Sequence, residues 1–556
     1  MALPVARVRR PPLDTAGPGW FHRAPMQPPV LTGRTRLVLN ALLAGLVLRV
    51  LRLDDLSLWA DEGVTWWNAT AGGWKDAFFA ESNHPPVWWW VTRASLASWP
   101  GDEAALRLPA VACGVLALVL TWRLFVRLTD GARTPGRGGF VGGDGSTAVW
   151  VTVLAAVNPF WIEYAQEARM YAALLAEALG LSLLYLRWLD RGGRGTLVAY
   201  GVLASVALHT NYFALWPIAG HLAHALFVAR EARRRGDPFR VRPLFVTQIA
   251  AGLTFVPWFL YMLQAYRGIS PGAYEPVGRL AHALWRMGVG PALVALDAPR
   301  VRAGPAAVFA EEPVLVVLTA LAWIVPIVLG LRTLRRRDRG AFAFTVASVA
   351  VPVALVMLAC VRWPLVHEKY LIFVAPFLLY LAVVGARSAP GLLRPVLVGG
   401  LVLLHVAGLA AYHFGGSRLA APLVGDHVYG KEQWREAHAF VARERGPQDV
   451  VALHAPFTHM TWAFYDRGQP VPAVILPPLA LPCDRALTAD EVAAELPGLA
   501  DAPGAFLVLS HPATDDPDHY RDVFLEAVAK AWGGFRVETH ELPRQWGIRV
   551  VHVVRP

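Results

Sequence analysis

Charge is scarce in this chain. Asp, Glu, Lys and Arg make up 17% of its 556 residues against 55% hydrophobic ones, and the mean hydropathy is +0.40. An ordinary soluble domain carries about 25% charged residues, so a water-soluble globular protein is excluded and most of the chain belongs in lipid. Cysteine is scarcer still. Cys113, Cys360 and Cys483 lie too far apart for any metal-ligand spacing, which excludes a structural zinc site. They read as free thiols, with a Cys360–Cys483 disulfide as the alternative if both face an oxidising compartment. Internal repeats and heptads are absent, and with them the usual sign of a transporter built from two related halves. A small-residue cleavage site is also missing after the first apolar run, Leu37 to Leu53, so that run is expected to remain as an uncleaved span.

What the chain does have is a succession of such runs. A span needs about 20 predominantly apolar residues. Further runs lie near 107–128, 147–163, 170–188, 196–209, 212–230, 244–263, 313–332, 341–361, 370–387 and 395–413. The sequence thus predicts a polytopic α-helical membrane protein of about eleven transmembrane helices over residues 36–413. Lys and Arg outnumber Asp and Glu by 52 to 41, an excess that fits nucleic acid, anionic lipid or cytoplasmic loops. Its placement decides the matter. Arg123, Arg127, Arg133 and Arg137 follow the second run, Arg187, Arg191 and Arg194 the fourth, Arg230 to Arg242 the sixth, and Arg332 to Arg339 the eighth. Alternate loops are basic, as cytoplasmic loops are. Membrane lipids are therefore expected as partners and nucleic acid is not. Residues 1–35, rich in Arg and Pro, read as a disordered cytoplasmic tail.

With an odd number of spans, residues 414–556 fall on the extracytoplasmic side. There the pattern changes. Polar helical stretches, Lys431 to Arg445 and Asp516 to Trp532, alternate with strand-like runs at Val450–His454, Val471–Leu476, Ala505–Ser510 and Ile548–Val554. The segment reads as a small soluble α/β domain.

Four polar groups interrupt the apolar pattern, all on the predicted outer face. The first is Asp61-Glu62, in a long loop over 54–106 that also carries His84 and clustered tryptophans suited to a membrane interface. A carboxylate there can take a proton from an acceptor hydroxyl; equally, the pair can serve a helix N-terminus. The second runs from Asn158 to Tyr171, where Glu163, Glu167 and Arg169 line a cavity or pair with one another. The third, Arg362 to Tyr370, offers Lys369 or Arg362 to a phosphate, or to lipid headgroups by snorkelling. The fourth, His209 to Tyr212, lines a cavity or simply packs. The long loop 264–312, with Tyr266, Arg267, Tyr274, Glu275, Arg279, His282 and Arg286, is either a cover for substrates or an ordinary surface loop.

Together, Leu58-Trp59-Ala60-Asp61-Glu62, His84-Pro85-Pro86, Leu106-Arg107-Leu108-Pro109-Ala110 and Gln166-Glu167-Ala168-Arg169-Met170-Tyr171 resemble the GT-C glycosyltransferases related to protein O-mannosyltransferases (glycosyltransferase family 39-like) and aminoarabinose transferases. The resemblance covers roughly the first 220 residues, then continues more loosely through Lys369-Tyr370-Leu371 and the C-terminal domain. It implies a GT-C-like bundle in a bacterial inner membrane and an inverting hexosyl or pentosyl transfer from a polyprenyl-phosphate sugar to a lipid, glycan or protein. Asp61 would be the base and Glu62 would shape the site. Arg169 and Lys369 would contact the donor phosphate with Tyr370 nearby, and Glu167, Tyr171, His209 and Tyr212 would line the pocket. His84 would border the site or join Asp61 in holding a divalent metal ion. One departure stands out: His367-Glu368-Lys369-Tyr370 occupies the place where many relatives carry an Arg-Tyr pair, which keeps the charge but loses the planar fork.

Two other classes compete with an enzyme. A lipid or sugar transporter or flippase would also be polytopic, but places its site near the midplane. A membrane scaffold would use the spans only as an anchor for the C-terminal domain.

Overall fold

The computed structural model describes residues 33–78, 84–130, 145–236, 239–265, 276–290, 313–363, 365–414, 431–479, 485–510, 518–542 and 548–556. The expected N-terminal tail, most of the 264–312 loop and Cys483 lie outside these residues. Helices occupy every predicted apolar run: Gly33–Val50, Glu103–Asp130, Ser146–Val157 with Pro159–Ala165, Tyr171–Arg191, Arg194–Thr210, Leu215–Arg234, Arg242–Ala265, Pro313–Arg337, Arg339–Ala359, Ala375–Ser388 and Leu393–Phe414. Among the described residues, eight helices are long and apolar enough to cross a membrane, nine when Ser146–Val157 and Pro159–Ala165 count as one broken span. The expectation of about eleven is not reached on that measure. Gly33–Val50 carries Arg34, Arg36 and Arg49, and Arg194–Thr210 has 17 residues.

Local chemistry explains the shapes that matter for function. The broken span bends by 57° at Asn158-Pro159. Proline removes a backbone donor there, while the Asn158 side chain accepts from Trp161 N and restarts the helix. Arg49 sits fully buried in its helix because its guanidinium donates to the carbonyls of Gly45 and Ala156. Pro313–Arg337 and Ala375–Ser388 lie backbone to backbone. A Cβ on Gly385 would sit 1.8 Å from the Pro326 carbonyl oxygen, so small residues permit the approach.

The C-terminal segment is a five-stranded sheet in the order β2-β1-β3-β5-β4, with β1 Val450–His454, β2 Val474–Ile475, β3 Gly504–Leu509, β4 Arg536–Leu542 and β5 Ile548–Val554. β1 runs parallel to β2 and β3, whereas β5 is antiparallel to β3 and β4. β3 is buried along its whole length and forms the core, while β4 is an exposed edge. The predicted strand Val471–Leu476 shrinks to two residues. Helices Trp434–Glu444, His459–Asp466, Ala489–Glu495 and His519–Trp532 cover the sheet. The first long loop also folds, into helices Ala60–Thr70 and Val87–Ser98, and the C-terminal domain docks directly on the former.

Candidate functional site

Asp61 and Glu62 occupy the first turn of Ala60–Thr70 and point in different directions. Asp61 keeps 34% of its side chain accessible and faces two cations. Lys369 Nζ donates to its Oδ2 at 3.3 Å, and Arg169 Nε lies 4.0 Å from the same oxygen. Arg169 also donates to the Asp61 carbonyl at 3.1 Å and to Thr65 Oγ1 at 3.3 Å. Its other Nη reaches the His84 ring at 3.2 Å, and its guanidinium lies 5.6 Å from the Trp89 ring. Lys369 Nζ sits 5.4 Å from the Trp59 and Tyr171 rings and 5.7 Å from that of Tyr370. Burial alone would raise the Asp61 carboxyl, but the charges of Lys369, Arg169 and His84 outweigh it and hold the group well below the usual carboxylate range.

Glu62 is completely buried and looks away from this space. It accepts two hydrogen bonds from Arg107, each 2.8 Å, a third from Ala168 N at 2.8 Å, and pairs with Lys431 Nζ at 2.9 Å. Burial raises its carboxyl, yet Arg107 and Lys431 bring it down to about 2. The Gln166–Arg169 turn is thereby fixed over the first loop. Gln166 Nε2 donates to the Arg49 and Leu51 carbonyls, and Lys431 donates to the Gln166 carbonyl at 3.2 Å. Burial also raises Glu167, against the pull of Lys431 and Lys369.

Five of the predicted residues thus converge on Asp61: His84, Arg169, Tyr171, Lys369 and Tyr370. Tyr212 is linked to them through Phe213, which stacks on Tyr370 at 4.3 Å. His209 is not brought in; it bonds to the Ser205 carbonyl within its own helix and packs on Phe255. Glu163 pairs with Arg286 at 2.6 Å, and Arg286 bonds Glu368 as well, so Arg169 is left for Asp61. Arg362 is exposed, with its guanidinium 5.7 Å from the Trp363 ring. Lys431 and Glu432 were missed by the sequence reading, because the site segments they hold, at Gln166 and Ala60, lie more than 260 residues away.

No third His, Cys, Asp or Glu joins Asp61 and His84 into a metal-binding group among the described residues. The Arg169 guanidinium contacts both of them, and a fixed cation there is a poor neighbour for a dication. What the site does offer is anion chemistry: two cations for one carboxylate, and buried hydrogen-bonding groups with no partner among the described residues, Tyr171 Oη, Trp59 Nε1 and Trp89 Nε1. Such groups are normally satisfied, so a polar ligand is the natural complement.

By structure the chain is similar to ArnT from Cupriavidus metallidurans in the apo state, with a TM-score of 0.55 and 15% sequence identity, over 94% of this chain and 98% of that one. The fold is of the GT-C type. The same ArnT bound to undecaprenyl phosphate gives a TM-score of 0.53 and 16% identity, over 93% of this chain and 98% of that one. No protein-family model matches the chain, and no curated protein matches it by sequence. The GT-C likeness spans the bundle and the C-terminal domain alike, which makes the docked domain part of the architecture.

Proposed function

We propose that this protein transfers a sugar from a polyprenyl-phosphate donor to an acceptor at the extracytoplasmic face of a bacterial inner membrane, with inversion. The observation that carries the reading is the Asp61 carboxylate held beside Lys369 and Arg169 at the end of an apolar bundle. The GT-C fold supports it, as does the undecaprenyl phosphate bound by the structurally similar ArnT. Nothing in the fold favours the transporter alternative.

In this mechanism the donor phosphate lies between Lys369 and Arg169, with Tyr171 Oη supplying a further hydrogen bond and the isoprenoid tail in lipid. The acceptor oxygen attacks the anomeric carbon while the bond from that carbon to the phosphate oxygen breaks. The acceptor proton passes to Asp61, and the leaving phosphate keeps the bonding electron pair, its charge matched by the two cations. No step requires a metal ion. The identities of the sugar and the acceptor are open to a panel assay. Membranes containing the wild type, supplied with radiolabelled polyprenyl-phosphate sugars, are expected to transfer one of them, and Asp61→Asn at equal expression is expected to lose at least about a hundredfold in rate. Equal transfer by both proteins would remove Asp61 as the base.

A further inference from the structure

The segment around Asp61 is held almost residue by residue by the C-terminal domain. Ser57 Oγ donates to the Glu432 carbonyl, and Leu58 N donates to Tyr465 Oη at 2.7 Å. Ala60 N donates to Glu432 Oε2 at 3.1 Å, and Glu62 pairs with Lys431. At Gly63 the two helices touch. A Cβ there would lie 2.7 Å from the Thr461 backbone, so nothing larger than glycine fits. Asp61 is left facing Lys369. The helix Ala60–Thr70 lacks a cap of its own, because its N-cap residue is Trp59, which makes no side-chain capping bond. The first amides of a helix need an acceptor, and a carboxylate at that end also complements the helix dipole. Glu432 supplies both. Its own carboxylate is fixed by Trp434 Nε1 at 2.5 Å and Ser510 Oγ at 3.3 Å.

We infer that Glu432 is a positioning residue for the transfer reaction: a cap supplied by the C-terminal domain that sets where the Asp61 carboxylate stands against Lys369 and Arg169. This rests on the glycosyltransferase reading, and two measurements on the full-length protein in detergent keep the two apart. One is amide hydrogen exchange over residues 60–63; the other is transfer kinetics per folded molecule. Glu432→Ala is expected to speed exchange there about tenfold or more. It is also expected to lower kcat about ten- to a hundredfold, with the donor KM changed less than about twofold, since the cations that hold the donor stay in place. Glu432→Gln retains the acceptor oxygen facing Ala60 and should restore most of both losses. Exchange in β3 and β5 reports whether the domain is folded. Should Glu432→Ala unfold it, Glu432→Asp, which keeps the charge but withdraws the carboxylate by one methylene, takes its place. Unchanged exchange at 60–63 would overturn the inference, and so would faster exchange with unchanged kcat. A wild type that transfers no sugar from any donor would overturn the glycosyltransferase reading, while the exchange arm still decides whether Glu432 holds the helix.

Discussion

Lys369 and Arg169 place two positive charges against the one carboxylate of Asp61, and both are the groups a donor phosphate would claim. In the free protein they keep Asp61 ionised far below the usual carboxylate range. In the proposed reaction they turn to the donor phosphate, so their hold weakens and Asp61 becomes a stronger base. The base works only when deprotonated, so activity falls as pH drops through its pKa. The acid limb of kcat/KM, which reports the free enzyme, should therefore lie at lower pH than that of kcat, which reports the complex. Transfer rates measured from about pH 3 to 8 should show kcat falling toward the acid end while kcat/KM stays level, and parallel falls in both would sink the idea. A second expectation concerns metal. Arg169 contacts both Asp61 and His84, so dialysis against EDTA should leave transfer unchanged; a loss restored by a divalent salt would contradict it. Asp61, Arg169 and Lys369 were visible in the sequence because charges at span ends are costly unless used. Glu432 and Lys431 were not, since the polar stretch Lys431 to Arg445 is full of such residues. One clue existed: the chain has only four lysines, Lys75, Lys369, Lys431 and Lys530, and two of them lie here, Lys431 buried and Lys369 partly buried.

At the scale of elements, the first loop and the C-terminal domain are joined through the buried Glu62, Arg107 and Lys431. The Glu62 carboxyl is held at about 2 against an ordinary 4.5. A depressed folded pKa means that the ionised group contributes stability above the unfolded value, and that this contribution is lost as pH falls toward the folded one. Glu62→Gln leaves two buried cations without their partner, a loss on the order of 3–5 kcal/mol. The variant should melt well below the wild type at pH 7, and the gap between their Tm values should narrow as pH falls from about 4.5 toward 2. A gap independent of pH would show that the carboxylate charge is not what joins the two elements. The junction was illegible in the sequence for a simple reason. Periodicity finds helices such as Ala375–Ser388 and strands such as β3, whose partners are generically apolar, but it does not say which helix meets which. The exposed edge strand β4, Arg-Val-Glu-Thr-His-Glu-Leu over 536–542, also escaped notice, because with both faces wet it carries no hydrophobic run.

For the whole molecule, the side on which the proposed chemistry occurs is predicted from connectivity and from two traverses, without a count of all the helices that cross the membrane. Ser57 to Gly63 are bonded to residues 431–465, so the first loop and the C-terminal domain share one face. A single traverse, Arg339–Ala359, separates the basic end Arg335–Arg337 of the preceding helix from Lys369, and another, Tyr171–Arg191, separates the Gln166–Arg169 turn from Arg191. The basic ends are therefore expected opposite the site, and the positive-inside rule predicts that the site faces outward. Single cysteines test it in a background where Cys113, Cys360 and Cys483 are replaced by serine. Glu538→Cys, on the exposed strand β4, should react with a membrane-impermeant maleimide in intact cells, and Arg336→Cys should react only after permeabilisation. The reverse pattern would place Asp61 on the cytoplasmic face, and the acceptor would then have to be sought among molecules inside the cell. Labelling of both in intact cells would break the single traverse itself, because Arg339–Ala359 would then not cross the membrane.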